Sequence, residues 1–172
     1  MADHGRRHGP SWPGVSLDST PCGGRGEAAF VDAYRELITL PSASNSYRQL
    51  FTELADPKHR PGLFHCTTGK DRTGWAAAAL LLLVGVAEDD VMDDYLLTNA
   101  QLLPFLQPHF DHFAAAGGDP DVLLPVLGVE PKYLEASLGE MRTRYGTVEQ
   151  YFADGLGIAA PTQSALRAAL RE

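Results

Sequence analysis

Positive charge is scarce in this 172-residue chain: 14 Lys and Arg stand against 22 Asp and Glu, a formal net charge of −8. A surface with that balance repels polyanions, so neither nucleic acid nor an anionic membrane is expected as a bulk partner. Any anion must be held by cations gathered at one place. Cysteine is scarcer still, with Cys22 and Cys66 alone. Neither sits in a CxxC pair or a zinc-type Cys/His spacing, and two cysteines do not make a disulfide framework. No metal or cofactor is therefore expected, and a reducing, cytoplasmic setting is the simplest. Long apolar runs are absent too. The longest, residues 75–84, has ten residues, half of what a membrane helix needs. Residues 1–13 carry Arg6 and Arg7 with no apolar run behind them, so no secretory signal is read there, which leaves signal-less export open. Nothing in the pattern fixes an oligomeric state.

What is present is mostly helical in pattern, and the length suits one domain. Residues 1–29 are rich in Gly, Pro, Ser and Arg without apolar period, and are expected to be irregular or disordered. Phe30, Val31, Tyr34, Leu37 and Ile38 have helical spacing, as do Leu50, Phe51 and Leu54. Residues 62–66, Gly-Leu-Phe-His-Cys, form a short apolar run between Pro61 and a glycine-containing loop, which predicts a buried strand. A very apolar helix over residues 73–84 follows, closed near Gly85. Asp89 or Asp90 can cap a helix that stops at Leu103, ahead of Pro104. Pro131 and Gly146 suit the start and end of another helix. Thr147 to Gln150 has capping-box spacing, and Thr162 can cap a last helix.

A phosphate needs a ring of backbone N–H donors, a planar cation and, for chemistry, a nucleophile beneath the phosphorus. A strand turning through a tight loop into a helix N-terminus supplies the donors and the positive end of a dipole. His65-Cys66-Thr67-Thr68-Gly69-Lys70-Asp71-Arg72-Thr73-Gly74 reads as that turn. Gly69 permits a backbone conformation that a side chain resists. Arg72 can grip two oxygens at once, as Lys cannot. Cys66, facing amides and the helix dipole, is expected to have its thiol pKa lowered toward the ~3.5–7.5 range of activated cysteines. A thiolate can then attack phosphorus. His65 would tune the thiolate, and Thr73 would hydrogen-bond the sulfur. Thr67, Thr68, Gly69, Lys70, Asp71 and Arg72 form the candidate phosphate site.

A lone cysteine after an apolar strand is usually a small core hydrophobe. That reading leaves three consecutive charges, Lys70, Asp71 and Arg72, unexplained directly ahead of an apolar helix. A nucleotide P-loop fails on two counts: Asp71 follows Gly69-Lys70, and Phe64 stands where its first glycine belongs. Lys58-His59-Arg60 lies at the far end of the expected strand and reads as a solvated turn. His109, Asp111 and His112 lack a convincing third metal ligand, and Glu88-Asp89-Asp90 is a helix-start cluster. Tyr95, Leu96, Leu102, Leu103 and Phe105 read as core packing.

The string from His65 to Gly74 resembles the signature of the protein tyrosine phosphatase superfamily. Its Gly-Lys-Asp-Arg-Thr-Gly form is similar to the bacterial atypical tyrosine/lipid phosphatases. Val84-Gly85-Val86 resembles the close of that group's Leu-rich helix, and residues 94–99 resemble its Asp-Tyr-Leu-Leu-Ser/Thr-Asn segment. Pro131 to Leu134, Tyr145-Gly146 and Leu166-Arg167 fit its C-terminal half, so the likeness runs over residues 30–172. It implies Cys66 as nucleophile, Arg72 as phosphate clamp, Asp71 as general acid and Lys70 as a residue favouring lipid headgroups. The plainer alternative for Asp71 is a loop carboxylate paired with Lys70 or Arg72.

The expected fold is therefore α/β: an incomplete phosphatase fold with a short parallel sheet remnant bearing the loop, followed by a mostly helical C-terminal half. The family's opening strands have no counterpart in residues 1–29, and Trp12-Pro13-Gly14 only superficially resembles the acid loop of other phosphatases. The expected activity is hydrolysis of phosphotyrosine proteins, with phosphoserine/threonine or phosphoinositides as further substrates, through a phosphocysteine. The competing expectation is a truncated, inactive phosphate-binding fragment of marginal stability.

Overall fold

The computed structural model describes residues 23–171. Helix α1 (Gly23–Thr39) places Tyr34 and Ile38, one turn apart, into the core. Its first residues, 23–29, belong to the stretch expected to be irregular, whereas residues 1–22, including Cys22 and Trp12-Pro13-Gly14, lie outside the described residues. Leu40 is the only break before α2 (Pro41–Ala55), which opens on a proline and buries Tyr47 and Phe51.

Helix α3 (Arg72–Val84) sits at the centre. Trp75, Ala76, Ala78, Ala79 and Leu83 are buried, so it is covered on more than one face. Its alanines let neighbours approach closely, and α4 and α8 both pack against it. It ends at Gly85, whose φ of 93° is the left-handed turn that glycine takes without a Cβ penalty. The acids Glu88, Asp89 and Asp90 fill the first turn of α4 (Glu88–Ala115), behind an Ala87 cap. They complement the dipole there and do not serve as caps.

That helix does not stop at Leu103. It runs through Pro104 and Pro108. A proline removes its own N–H and crowds one carbonyl, and here that loss is offset because Phe110, beyond both prolines, is buried and the Pro120–Leu123 turn packs on α4. Upstream, Asn99 makes two bonds to the Val129 backbone: its Nδ2 donates to the Val129 oxygen at 2.9 Å and its Oδ1 accepts from the Val129 N–H at 2.8 Å. This staple fixes the segment after the short α5 (Leu124–Leu127).

Helix α6 (Pro131–Tyr145) has the expected proline in its first turn and Gly146 at its end. It lies on α1, where the buried Ser137 hydroxyl donates to the Tyr34 carbonyl at 2.7 Å. Thr147 caps α7 (Val148–Gln150) through the Gln150 N–H. A π-helical turn, Tyr151–Gly155, follows, and Tyr151 accepts from the Trp75 indole at 3.2 Å. The last helix, α8 (Ala160–Leu170), starts from Ala159, ahead of the expected Thr162.

The expected α/β arrangement with a sheet remnant is overturned: among the described residues there is no strand. Residues 62–66 lead straight into the loop without regular structure, and Leu63 is 93% exposed. The five residues have the composition of a buried strand, but a strand exists only when a neighbour pairs with it. None of the described segments supplies that ladder, and no other described residue exchanges a backbone hydrogen bond with residues 62–65.

Amide hydrogen exchange should register this contrast. Leu63, Phe64 and His65 are expected to exchange at near random-coil rates, while Ala78 and Ala79 in α3 exchange slowest. Equal protection of the two segments would show that residues 62–66 are paired in solution.

Candidate active site

The loop of residues 65–72 connects that unpaired lead to the first turn of α3. Trp75 N–H bonds the Asp71 carbonyl at 2.9 Å and Gly74 N–H bonds the Lys70 carbonyl at 3.1 Å, so the helix begins within the loop itself. Gly69 has φ of 78°, the left-handed conformation that lets the chain curl back. The curl aims amides inward. The backbone N–H groups of Thr68, Gly69 and Thr73, together with the Thr73 hydroxyl, are the groups around the Cys66 sulfur that act to lower its pKa.

Two opposing effects act on that sulfur. Burial is the largest single one and raises the thiol pKa, but the four donors together outweigh it, and the thiol is lowered from 9.0 to about 7. Thr73 Oγ1 is itself buried and has no hydrogen-bond partner of ordinary geometry among the described residues. A thiol is a poor acceptor, and the bond strengthens as the sulfur becomes charged. The Thr73 hydroxyl thus favours the thiolate over the thiol. The His65 ring is exposed and its Nδ1 lies 2.9 Å from the Cys66 carbonyl oxygen, on the backbone and not on the sulfur.

Arg72 opens α3 with an exposed guanidinium whose Nη2 donates to Thr67 Oγ1 at 3.0 Å, across the rim of the loop. Its carbonyl accepts from the Tyr47 hydroxyl at 3.4 Å. Beside the sulfur lies an open cleft of about 430 Å³. Cys66, Arg72 and Thr73 meet the apolar residues Leu37, Ala43 and Phe64 there.

Lys70 and Asp71 do not line the cleft, although the Asp71 side chain is 29% exposed. Lys70 is 4% exposed, its ammonium 2.7 Å from Asp71 Oδ1 and 4.7 Å from the centre of the Phe30 ring. Asp71 Oδ1 also accepts from the Tyr34 hydroxyl at 2.8 Å, and the Tyr34 oxygen lies 2.7 Å from that of Tyr95. Asp71 is thus a loop carboxylate that pairs with Lys70 through Oδ1. Phe30, Tyr34, Tyr47 and Tyr95 support the loop, and sequence reasoning missed all four in that role. They stand at core positions of amphipathic helices. The available signal was chemical: a tyrosine at a core position brings a hydroxyl that must find a partner.

Among the described residues no group of His, Cys, Asp and Glu is arranged to hold a metal ion, and no helix is long and apolar enough to cross a membrane.

The loop thus places a cysteine at its start and an arginine at the following helix start, with five residues between them. Comparison with known proteins agrees. The profile of the tyrosine phosphatase family matches residues 15–172. A protein of Cupriavidus necator named as a tyrosine-protein phosphatase is 43% identical over 96 residues, 56% of this chain and 35% of its own length. The triple specificity protein phosphatase PtpB of Mycobacterium tuberculosis is 33% identical over 156 residues, 82% of this chain and 54% of its own. The chain belongs to the tyrosine phosphatase family. It spans between about a third and a half of the length of these two relatives.

Alkylation of Cys66 by iodoacetamide, followed on its peptide by mass spectrometry, should rise with pH to a midpoint near about 7. Thr73→Val should move that midpoint up by about one unit, the worth of a hydrogen bond to a charged group at a partly exposed site. An unmoved midpoint would remove the Thr73 hydroxyl from the account.

Proposed function

We propose that this chain carries the catalytic loop of a phosphomonoester hydrolase acting on phosphotyrosine proteins, with phosphoserine/threonine proteins and phosphoinositides as further substrates, through a phosphocysteine intermediate. One observation carries the reading: the Cys66 thiol sits beside the first turn of α3, where the loop amides and the Thr73 hydroxyl lower its pKa to about 7. At neutral pH about half of such a thiol is thiolate. PtpB and the Cupriavidus protein, both named as phosphatases, support the same class of chemistry.

The amides of residues 67–72 and the Arg72 guanidinium bind the phosphoryl oxygens, and Arg72 exchanges its bond to Thr67 for a bidentate grip. The Cys66 thiolate attacks phosphorus, forming the S–P bond as the ester P–O bond breaks. The departing oxygen takes a proton from Asp71. Water then attacks the phosphocysteine, gives its proton to the Asp71 carboxylate and expels the thiolate as phosphate leaves. Thr73 steadies the sulfur's charge in both steps. Lys70 acts through Asp71. No step calls for a metal, and a thiolate enzyme is kept active by a reducing compartment such as the cytoplasm.

The unpaired segment at residues 62–66 favours a second reading, a phosphate-binding protein with the loop but without turnover, because Cys66 terminates that segment.

Turnover of p-nitrophenyl phosphate separates the two. The first reading expects hydrolysis that vanadate inhibits and EDTA does not, that Cys66→Ser abolishes, and that Arg72→Lys reduces about 10²–10³-fold in kcat/KM. Activity surviving in Cys66→Ser would refute the mechanism. Vanadate binding without turnover in the unmodified chain would establish the second reading.

A further inference from the structure

A line of hydroxyl groups runs from α4 through α1 to the loop, and its direction can be assigned. A phenol has one proton to donate. Tyr34 gives its proton to Asp71 Oδ1 at 2.8 Å, so across the 2.7 Å contact between the two tyrosines Tyr95 is the donor and Tyr34 the acceptor. Both side chains are buried, which leaves no water to replace either partner. Burial is also the first reason that both phenols stay protonated: it pushes their pKa far above the ordinary tyrosine value. Gly74 makes room for this arrangement, since a Cβ there would meet the Tyr95 ring at 3.0 Å.

The consequence falls on one carboxylate. Asp71 Oδ1 receives two donors, Tyr34 and Lys70, and Oδ2 receives none among the described residues. A proton carried by Asp71 therefore resides on Oδ2. The side chain is 29% exposed, so a ligand can reach it. We propose that Tyr34, backed by Tyr95, is a positioning residue for proton transfer: it holds Oδ1 so that Oδ2 alone carries the proton to the leaving group. This rests on the reading of Asp71 as the acid given above. Tyr34 touches neither the sulfur nor the cleft, so its influence passes through Asp71.

The test compares two aryl esters that differ in how much they need an acid. p-Nitrophenolate departs unprotonated, whereas phenolate does not. Tyr34→Phe keeps the ring and removes the donor. It should lower kcat/KM for phenyl phosphate about tenfold or more while lowering that for p-nitrophenyl phosphate by less than about threefold. Asp71→Asn should show the same asymmetry, enlarged, and Tyr95→Phe the same asymmetry, reduced. In proton NMR the Tyr34 hydroxyl should give a slowly exchanging downfield resonance that Tyr34→Phe removes and Asp71→Asn displaces. Equal losses on the two esters would make Tyr34 a scaffold residue and overturn the proposal, as would absence of the resonance in the unmodified chain. Failure of the unmodified chain to turn over either ester, with the resonance present, would overturn the phosphatase reading and the positioning role with it, while leaving the hydrogen-bonded line intact.

Discussion

The site depends on one contest at one atom: desolvation of the Cys66 sulfur against the donors aimed at it. Burial alone would make the thiol inert. The loop reverses that outcome with several N–H groups converging on one point, which a flexible chain does not maintain. Convergence requires the amides of Thr68, Gly69 and Thr73 to be held in register. Thr73 belongs to the first turn of α3, whose Trp75, Ala78 and Ala79 are fully in the core. The charge state of a partly exposed sulfur thus rests on packing one and two turns away, and Gly69 supplies the backbone turn that lets the loop meet the helix.

The loop is supported unequally. On the α1 and α4 side, Lys70, Asp71, Tyr34 and Tyr95 form a buried polar line, closed by the Phe30 ring against the ammonium. Every hydroxyl and charge in it has a partner, which turns a costly set of buried polar groups into a rigid one. On the other side, residues 62–65 have no backbone partner among the described residues. The geometry of the loop beyond Gly69 comes from helices, and its entry comes from a segment that nothing described pairs with.

The loop was legible in the sequence because everything that defines it is local. A cysteine, a glycine that must take positive φ, an arginine and an apolar helix all fall within residues 65–84, and their spacing fixes what can face what. The helix ends at Gly85 and Gly146 and the cap at Thr147 were readable for the same reason. The strand at residues 62–66 was misjudged because pairing is non-local: five apolar residues state a wish for neighbours, and the sequence of that segment cannot say whether neighbours exist. Pro104 predicts a stop because proline costs a local bond, whereas burial of Phe110 farther along outweighs that cost. The tyrosines were placed correctly as core residues, but a helical period gives the direction of a ring and not the partner of its hydroxyl. Lys70 stands beside Gly69, where the sequence places a candidate anion ligand, and its burial against Phe30 joins residues forty apart, which no local pattern states.

The two ends of the loop therefore draw on different parts of this fold. Arg72 and Thr73 stand in the first turn of α3, and Asp71 is tied to the tyrosine line, so the end of the loop is held by buried structure. The sulfur belongs to the last residue of the unpaired segment. From the supported side it is reached only by donors whose hold strengthens when the sulfur is charged. On the proposed reading, ionisation of Cys66 therefore does part of the positioning: the same change that makes the sulfur reactive tightens its place against the first turn of α3.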